Sequence, residues 1–140
     1  MNGIVIDASV ALAWCFPDEA NDYADKVLVA LEGRSILVPA LWPIEITNAL
    51  VVAERRKRII QSSIRRFIEL LSGLTVIMVA QSATESVSNI LPLAREYNLS
   101  AYDAAYLDVA LRDDAPLATL GKKLQEAGRT AGIEIFRATK

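Results

Sequence analysis

The sequence predicts an α/β fold, a mainly parallel sheet of five short strands covered by helices. Three observations predict it. Short β-branched runs, IVID, ILVP, TVIMV, LATL and IEIF in chain order, alternate with longer stretches of helical periodicity, as strand–helix–strand units do. The runs are continuously apolar rather than alternating, which suits strands whose two faces are both covered by helices. Pro17, Gly33, Pro39, Gly73, Pro116 and Gly132 stand at the joins, where chain breakers belong. A length of 140 residues with 53% hydrophobic content supplies one core, so residues 1–140 are expected to form a single domain.

Taken in order, helices are expected near 8–16, 19–32, 43–58, 61–72, 84–97, 101–112 and 121–128. The first strand, in GIVIDAS, stops on Asp7 just before ASVALAWCF. An aspartate there can cap the helix by accepting its free N–H groups, or it can present a carboxylate beyond a strand end. Pro43 suits the first position of the third helix and places Glu45 in its first turn. Ile46, Ala49, Leu50 and Ala53 form that helix's buried stripe, and Glu45, Asn48, Val52 and Arg55 line a neighbouring one. Pro92 falls inside the fifth helix and is expected to kink it. Ser100 and Asp103 resemble a capping box, yet Asp103 shares its face with Leu107 and Ala110, which directs it inward. Asp108 lies off that stripe and pairs with Arg112 at i+4, so it is expected on the surface.

Composition excludes several chemistries. There is no histidine and a single cysteine, Cys15, which removes Ser-His-Asp and Cys-His nucleophilic sites, imidazole-based ribonuclease chemistry and the usual zinc sites. Cys15, between Trp14 and Phe16, is expected to be a core thiol. No basic leader with an apolar run and cleavage site opens the chain, and no apolar run could span a bilayer, so a cytoplasmic location is expected. The mean hydropathy of +0.29 is high and suggests that a second chain covers apolar surface. Trp14, Phe16 and Trp42 are either part of that interface or core.

Net charge is −2, but six of the fifteen basic residues fall between Arg55 and Arg66, in ERRKRIIQSSIRR. Arg55, Arg56, Lys57, Arg58, Arg65 and Arg66 could meet phosphates. The plainer reading is a solvated helix end whose cations complement the dipole.

Open α/β sheets build their sites beyond the carboxyl ends of the strands. Asp7, Glu45 and Asp103 all stand at element ends there, and unpaired they would repel one another. A cation relieves that repulsion. With oxygen ligands only, the candidate is Mg2+ or Mn2+.

The order IVIDAS, PIEITNAL, LSAYDAAYL and then LATL before KKL resembles the PIN-domain family, most closely the VapC-type toxins of bacterial toxin–antitoxin pairs. The likeness covers nearly the whole chain. It implies a three-layer α/β/α sandwich and a metal-dependent endoribonuclease acting on structured RNA, with 3′-hydroxyl and 5′-phosphate products from in-line attack of water. It implies that Asp7, Glu45 and Asp103 are the catalytic metal ligands, with Ser9, Asn48 and Thr119 as supporting polar groups. A homodimer bound by a small antitoxin protein is implied as well. One departure stands out: the family's fourth acid follows the fourth strand in a Thr-x-Asp pattern, and this chain reads Thr119-Leu120-Gly121. A PIN scaffold that binds RNA or protein without cutting is therefore the alternative. A receiver or haloacid-dehalogenase-like phosphatase fits poorly, because GIVIDAS lacks a paired Asp-x-Asp and no lysine ends a late strand.

Overall fold

The architecture follows from where the continuous apolar runs go. In a computed structural model that describes residues 3–137, four of the five runs form a parallel sheet, β1 (Gly3–Ile6), β2 (Ser35–Val38), β3 (Thr75–Met78) and β4 (Leu117–Ala118), in the order β3-β2-β1-β4. Ile4, Val5 and Ile6 are wholly buried at its centre. The fifth run is the exception. IEIF lies beside β4 through a single parallel bridge, Leu117 to Ile135, with Leu117 N–H donating to the Glu134 carbonyl and Phe136 N–H to the Leu117 carbonyl. Among the described residues the sheet thus has four strands rather than the expected five. β4 is only two residues long, too short to carry a longer ladder to a neighbour.

Among the described residues seven α-helices accompany these strands: α1 (Ala8–Cys15), α2 (Asp22–Ala30), α3 (Trp42–Arg55), α4 (Gln61–Ser72), α5 (Ala83–Tyr97), α6 (Ala101–Asp113) and α7 (Lys122–Thr130). Most begin and end within two residues of expectation. α2 starts three residues late, because Pro17–Glu19 forms a separate 3-10 turn and Asn21 caps the helix through the Ala24 amide. α5 runs without interruption through Pro92.

Steps from β1 to β2 to β3 move one way across the sheet, and the return to β4 reverses direction. Right-handed crossovers therefore place α1 to α4 on one face and α5 and α6 on the other. The packing agrees: α1 touches α2, α3 and α4, and α6 touches α5, α7 and the sheet. α6 is buried over seven consecutive residues, 104–110, as a helix enclosed on all sides must be. The reversal creates a switch point between β1 and β4, where such sheets open a crevice.

One open alternative is decided here and two expectations fail. Phe16 and Trp42 are core residues, whereas Trp14 is half-buried against the core and donates its indole N–H to the Ala24 carbonyl. The exposed large apolar residues lie elsewhere, including Ile77 and Met78 on β3 and Val87 and Leu91 on α5. Asp108 is buried rather than on the surface. It accepts from Gln81 Nε2 at 3.3 Å and faces Arg112 at 3.7 Å, because α6 is covered on the side that helical spacing alone would leave free. Cys15 is only partly buried, against the core.

Candidate active site

The strand that ends at Ile6 delivers Asp7 to the switch point. Asp7 is the N-cap of α1, accepting from the Val10 amide through Oδ1 at 3.3 Å. The capping reading of this residue is therefore correct, but it uses only part of the carboxylate. Ser9 Oγ donates to the same oxygen at 2.6 Å, and Thr119 Oγ1 donates to Oδ2 at 2.5 Å. Each hydroxyl is fixed in turn by an amide beyond β4: Leu120 N–H donates to Ser9 Oγ and Gly121 N–H to Thr119 Oγ1. Gln125 Nε2 closes the network on the Thr119 carbonyl. Asp7 and Thr119 are both buried.

Burial pushes the Asp7 carboxyl above its ordinary range against the pull of these three hydrogen bonds, and the charge of Asp103 pushes the same way. Asp103 stands in the first turn of α6, whose N-cap Ser100 accepts from the Asp103 amide. In α5, Ser82 and Glu85 complete both halves of a capping box. In α6 the described bonds include only the first half, so the Asp103 carboxylate is not spent on the cap. Burial raises it also, moderated by Lys123.

Glu45, in the first turn of α3, is held by Tyr106, whose hydroxyl donates to Glu45 Oε1 at 2.5 Å. Burial, this hydrogen bond and the charges of Glu45 and Asp7 raise the tyrosine strongly. Sequence reasoning missed Tyr106, which reads as one more apolar position in AYDAAYL. Asn48 is exposed on α3, and no described hydrogen bond links it to the acids. The structure thus brings Asp7, Ser9, Thr119, Asp103, Tyr106 and Glu45 into one neighbourhood and leaves Asn48 outside its bonding.

The donor chemistry fits a hard divalent ion, since only oxygens converge and the Asp7 carboxylate has no cationic partner among its described contacts. Among the described residues, however, no three acids are close enough to share one ion directly. Asp7 and Asp103 are the pair whose charges oppose each other, and Glu45 is drawn to Tyr106. An ion that keeps several waters, as Mg2+ does, can bridge such a spread. Gly121 is the N-cap of α7, and a side chain built there would meet only Thr119 Oγ1, at 3.5 Å. There is room for the missing fourth acid.

Of the basic cluster, Arg58 is already engaged. It pairs with Asp18 and Glu19 at 3.0 and 3.2 Å and lies over the Phe16 ring. Arg55 and Arg56 are exposed at the end of α3, about 15 Å along the helix from Glu45 by the usual rise per residue.

A carboxylate centre at the switch point of a parallel sheet defines an α/β protein with a polar, anionic site. The chain belongs to the PIN domain family, whose model matches residues 4–130. Ribonuclease VapC3 from Pyrobaculum aerophilum is 26% identical over 123 residues, 88% of this chain and 92% of that protein. The crystal structure of PAE2754 from Pyrobaculum aerophilum superposes with a TM-score of 0.66 at 26% identity, covering 89% of this chain and 85% of that one. That of FitAcB from Neisseria gonorrhoeae, at 17% identity and a TM-score of 0.56 over 96% and 97% of the two chains, is alike in fold alone. Among the described residues no helix is long and apolar enough to cross a membrane.

Proposed function

We propose that this chain is a VapC-like endoribonuclease that hydrolyses phosphodiester bonds of structured RNA with Mg2+ or Mn2+. The observation that carries the reading is Asp7 at the switch point, a buried carboxylate held by Ser9, Thr119 and the Val10 amide, with Asp103 near enough for its charge to act on it. Asp7 and Asp103 would hold the ion, with Glu45 joining directly or through water. When bound, such an ion lowers the pKa of an attacking water and offsets charge on the phosphoryl transition state. Ser9 and Thr119 orient the Asp7 carboxylate, and Lys123, near Asp103, offers a cation to phosphate. The likeness to Ribonuclease VapC3 supports RNA as substrate, and the VapC resemblance supports control by a small antitoxin in the cytoplasm. A homodimer is supported by the apolar side chains exposed on β3 and α5.

The test is RNA cleavage by the purified chain with Mn2+, with Mg2+ and with EDTA, beside Asp7→Asn, Glu45→Gln and Asp103→Asn. Cleavage that needs the metal and is lost in each variant supports the reading. A specific observation favours a second one: with Gly121 in place of an acid and no three acids close together among the described residues, the chain is a PIN scaffold that binds RNA without cutting it. Metal-independent RNA binding with no cleavage would establish that instead. Light scattering on the same sample decides between dimer and monomer.

A further inference from the structure

Tyr106 is among the largest fully buried side chains, with 1% of its surface exposed. Packing could be satisfied there by phenylalanine. The hydroxyl instead reaches Glu45 on another helix, 61 residues away in sequence. One phenol thus ties α6 to α3 at Glu45, one of the candidate acids. Its ring is locked by the core, so the hydroxyl has one position. Glu45, partly exposed and rich in rotamers, has several without it.

Resting on the nuclease reading above, we propose that Tyr106 is the positioning residue for Glu45: a rigid buried donor that holds one carboxylate oxygen of a flexible side chain and keeps the other for the metal-binding neighbourhood. Outer hydrogen bonds of this kind fix the orientation of ligating side chains in metal sites generally. The arrangement matters more here because residue 121 contributes no acid. With few carboxylates present, a wandering Glu45 is a larger fraction of the site.

The test is Mn2+ affinity of the full chain, read by water-proton relaxation, in Tyr106→Phe, Glu45→Gln and the double variant, with thermal unfolding in EDTA as a control for folding. Tyr106→Phe should bind Mn2+ about 10-fold more weakly with nearly unchanged unfolding. The double variant should bind no worse than Glu45→Gln alone, because Tyr106 acts through Glu45. Unchanged affinity in Tyr106→Phe, or losses that multiply in the double variant, overturns the inference. Absence of Mn2+ binding by the wild-type chain overturns the nuclease reading, and this inference with it. Should Tyr106→Phe not fold, 3-fluorotyrosine incorporated at the four tyrosines supplies a second readout. The 19F signal displaced by Glu45→Gln should move in wild type as Mg2+ saturates the site. A signal that stays in place overturns the inference.

Discussion

Thr119 and Asp7, 112 residues apart, are joined by a 2.5 Å hydrogen bond from Thr119 Oγ1 to Asp7 Oδ2. It couples the ends of β1 and β4 across the switch point and gives a buried carboxylate one of its few donors. Thr119→Val keeps the shape but leaves Asp7 Oδ2 and the Gly121 amide short of a partner. Stability should fall by about 1–3 kcal/mol, the cost of an unsatisfied buried polar group, and Thr119→Ser should recover most of it. Urea unfolding measures this; a midpoint unchanged in Thr119→Val would mean that the bond contributes nothing.

The raised pKa of Asp7 has a definite sign in stability. Its folded value lies above the ordinary 3.8 because burial disfavours the charge. The folded state therefore binds more protons in that window. The contribution is most favourable below the unfolded pKa and is lost as pH rises through the folded one. Asp7→Asn keeps a good capping residue without the charge. In EDTA its melting temperature should exceed that of wild type at about pH 7, by roughly 2–4 °C for each kcal/mol. The gap should close toward about pH 4, near the unfolded value of aspartate. A gap independent of pH would show that the Asp7 charge is not the source.

Gly121→Asp restores a carboxylate at the N-cap of α7, a position that favours aspartate and where the helix dipole welcomes negative charge. The added side chain meets nothing closer than Thr119 Oγ1 at 3.5 Å. Stability should hold or rise by a few tenths of a kcal/mol, while Mn2+ affinity and RNA cleavage both increase. Titration of Mn2+ beside a cleavage assay reads the two. Unchanged affinity in the variant would place residue 121 outside the metal-binding neighbourhood.

The arginines at the end of α3 should divide by role. Arg55→Ala/Arg56→Ala should flatten the dependence of RNA affinity on salt, by about one unit of slope for each phosphate that no longer meets a guanidinium. Arg58→Ala should lower the melting temperature and leave that slope unchanged, because its guanidinium is held by Asp18 and Glu19 and stacks on Phe16. Filter binding across a salt series separates them. A slope equal to wild type in the double variant would return Arg55 and Arg56 to an ordinary solvated helix end.

The sequence by itself determined the alternation of strands and helices, the start of α3 within one residue of Pro43, the start of α6 just after Ser100, and the placing of Asp7 at a strand end. These are local properties: apolar continuity, caps and chain breakers act within a few residues. Tertiary structure alone decided the rest. Whether IEIF becomes a strand depends on the length of β4 beside it, which its own residues do not encode. Asp108 was expected in solvent because helical spacing shows one neighbouring face, whereas α6 is enclosed on several. Phe16 and Trp42 are equally apolar in an interface or a core, and only the packing of α1 and α3 assigns them to the core. Tyr106 escaped notice because a phenol at an apolar position looks like core until its hydroxyl is seen 2.5 Å from Glu45. Contacts between residues 61 and 112 positions apart arise when the sheet reverses direction, and a linear pattern carries no distance of that kind.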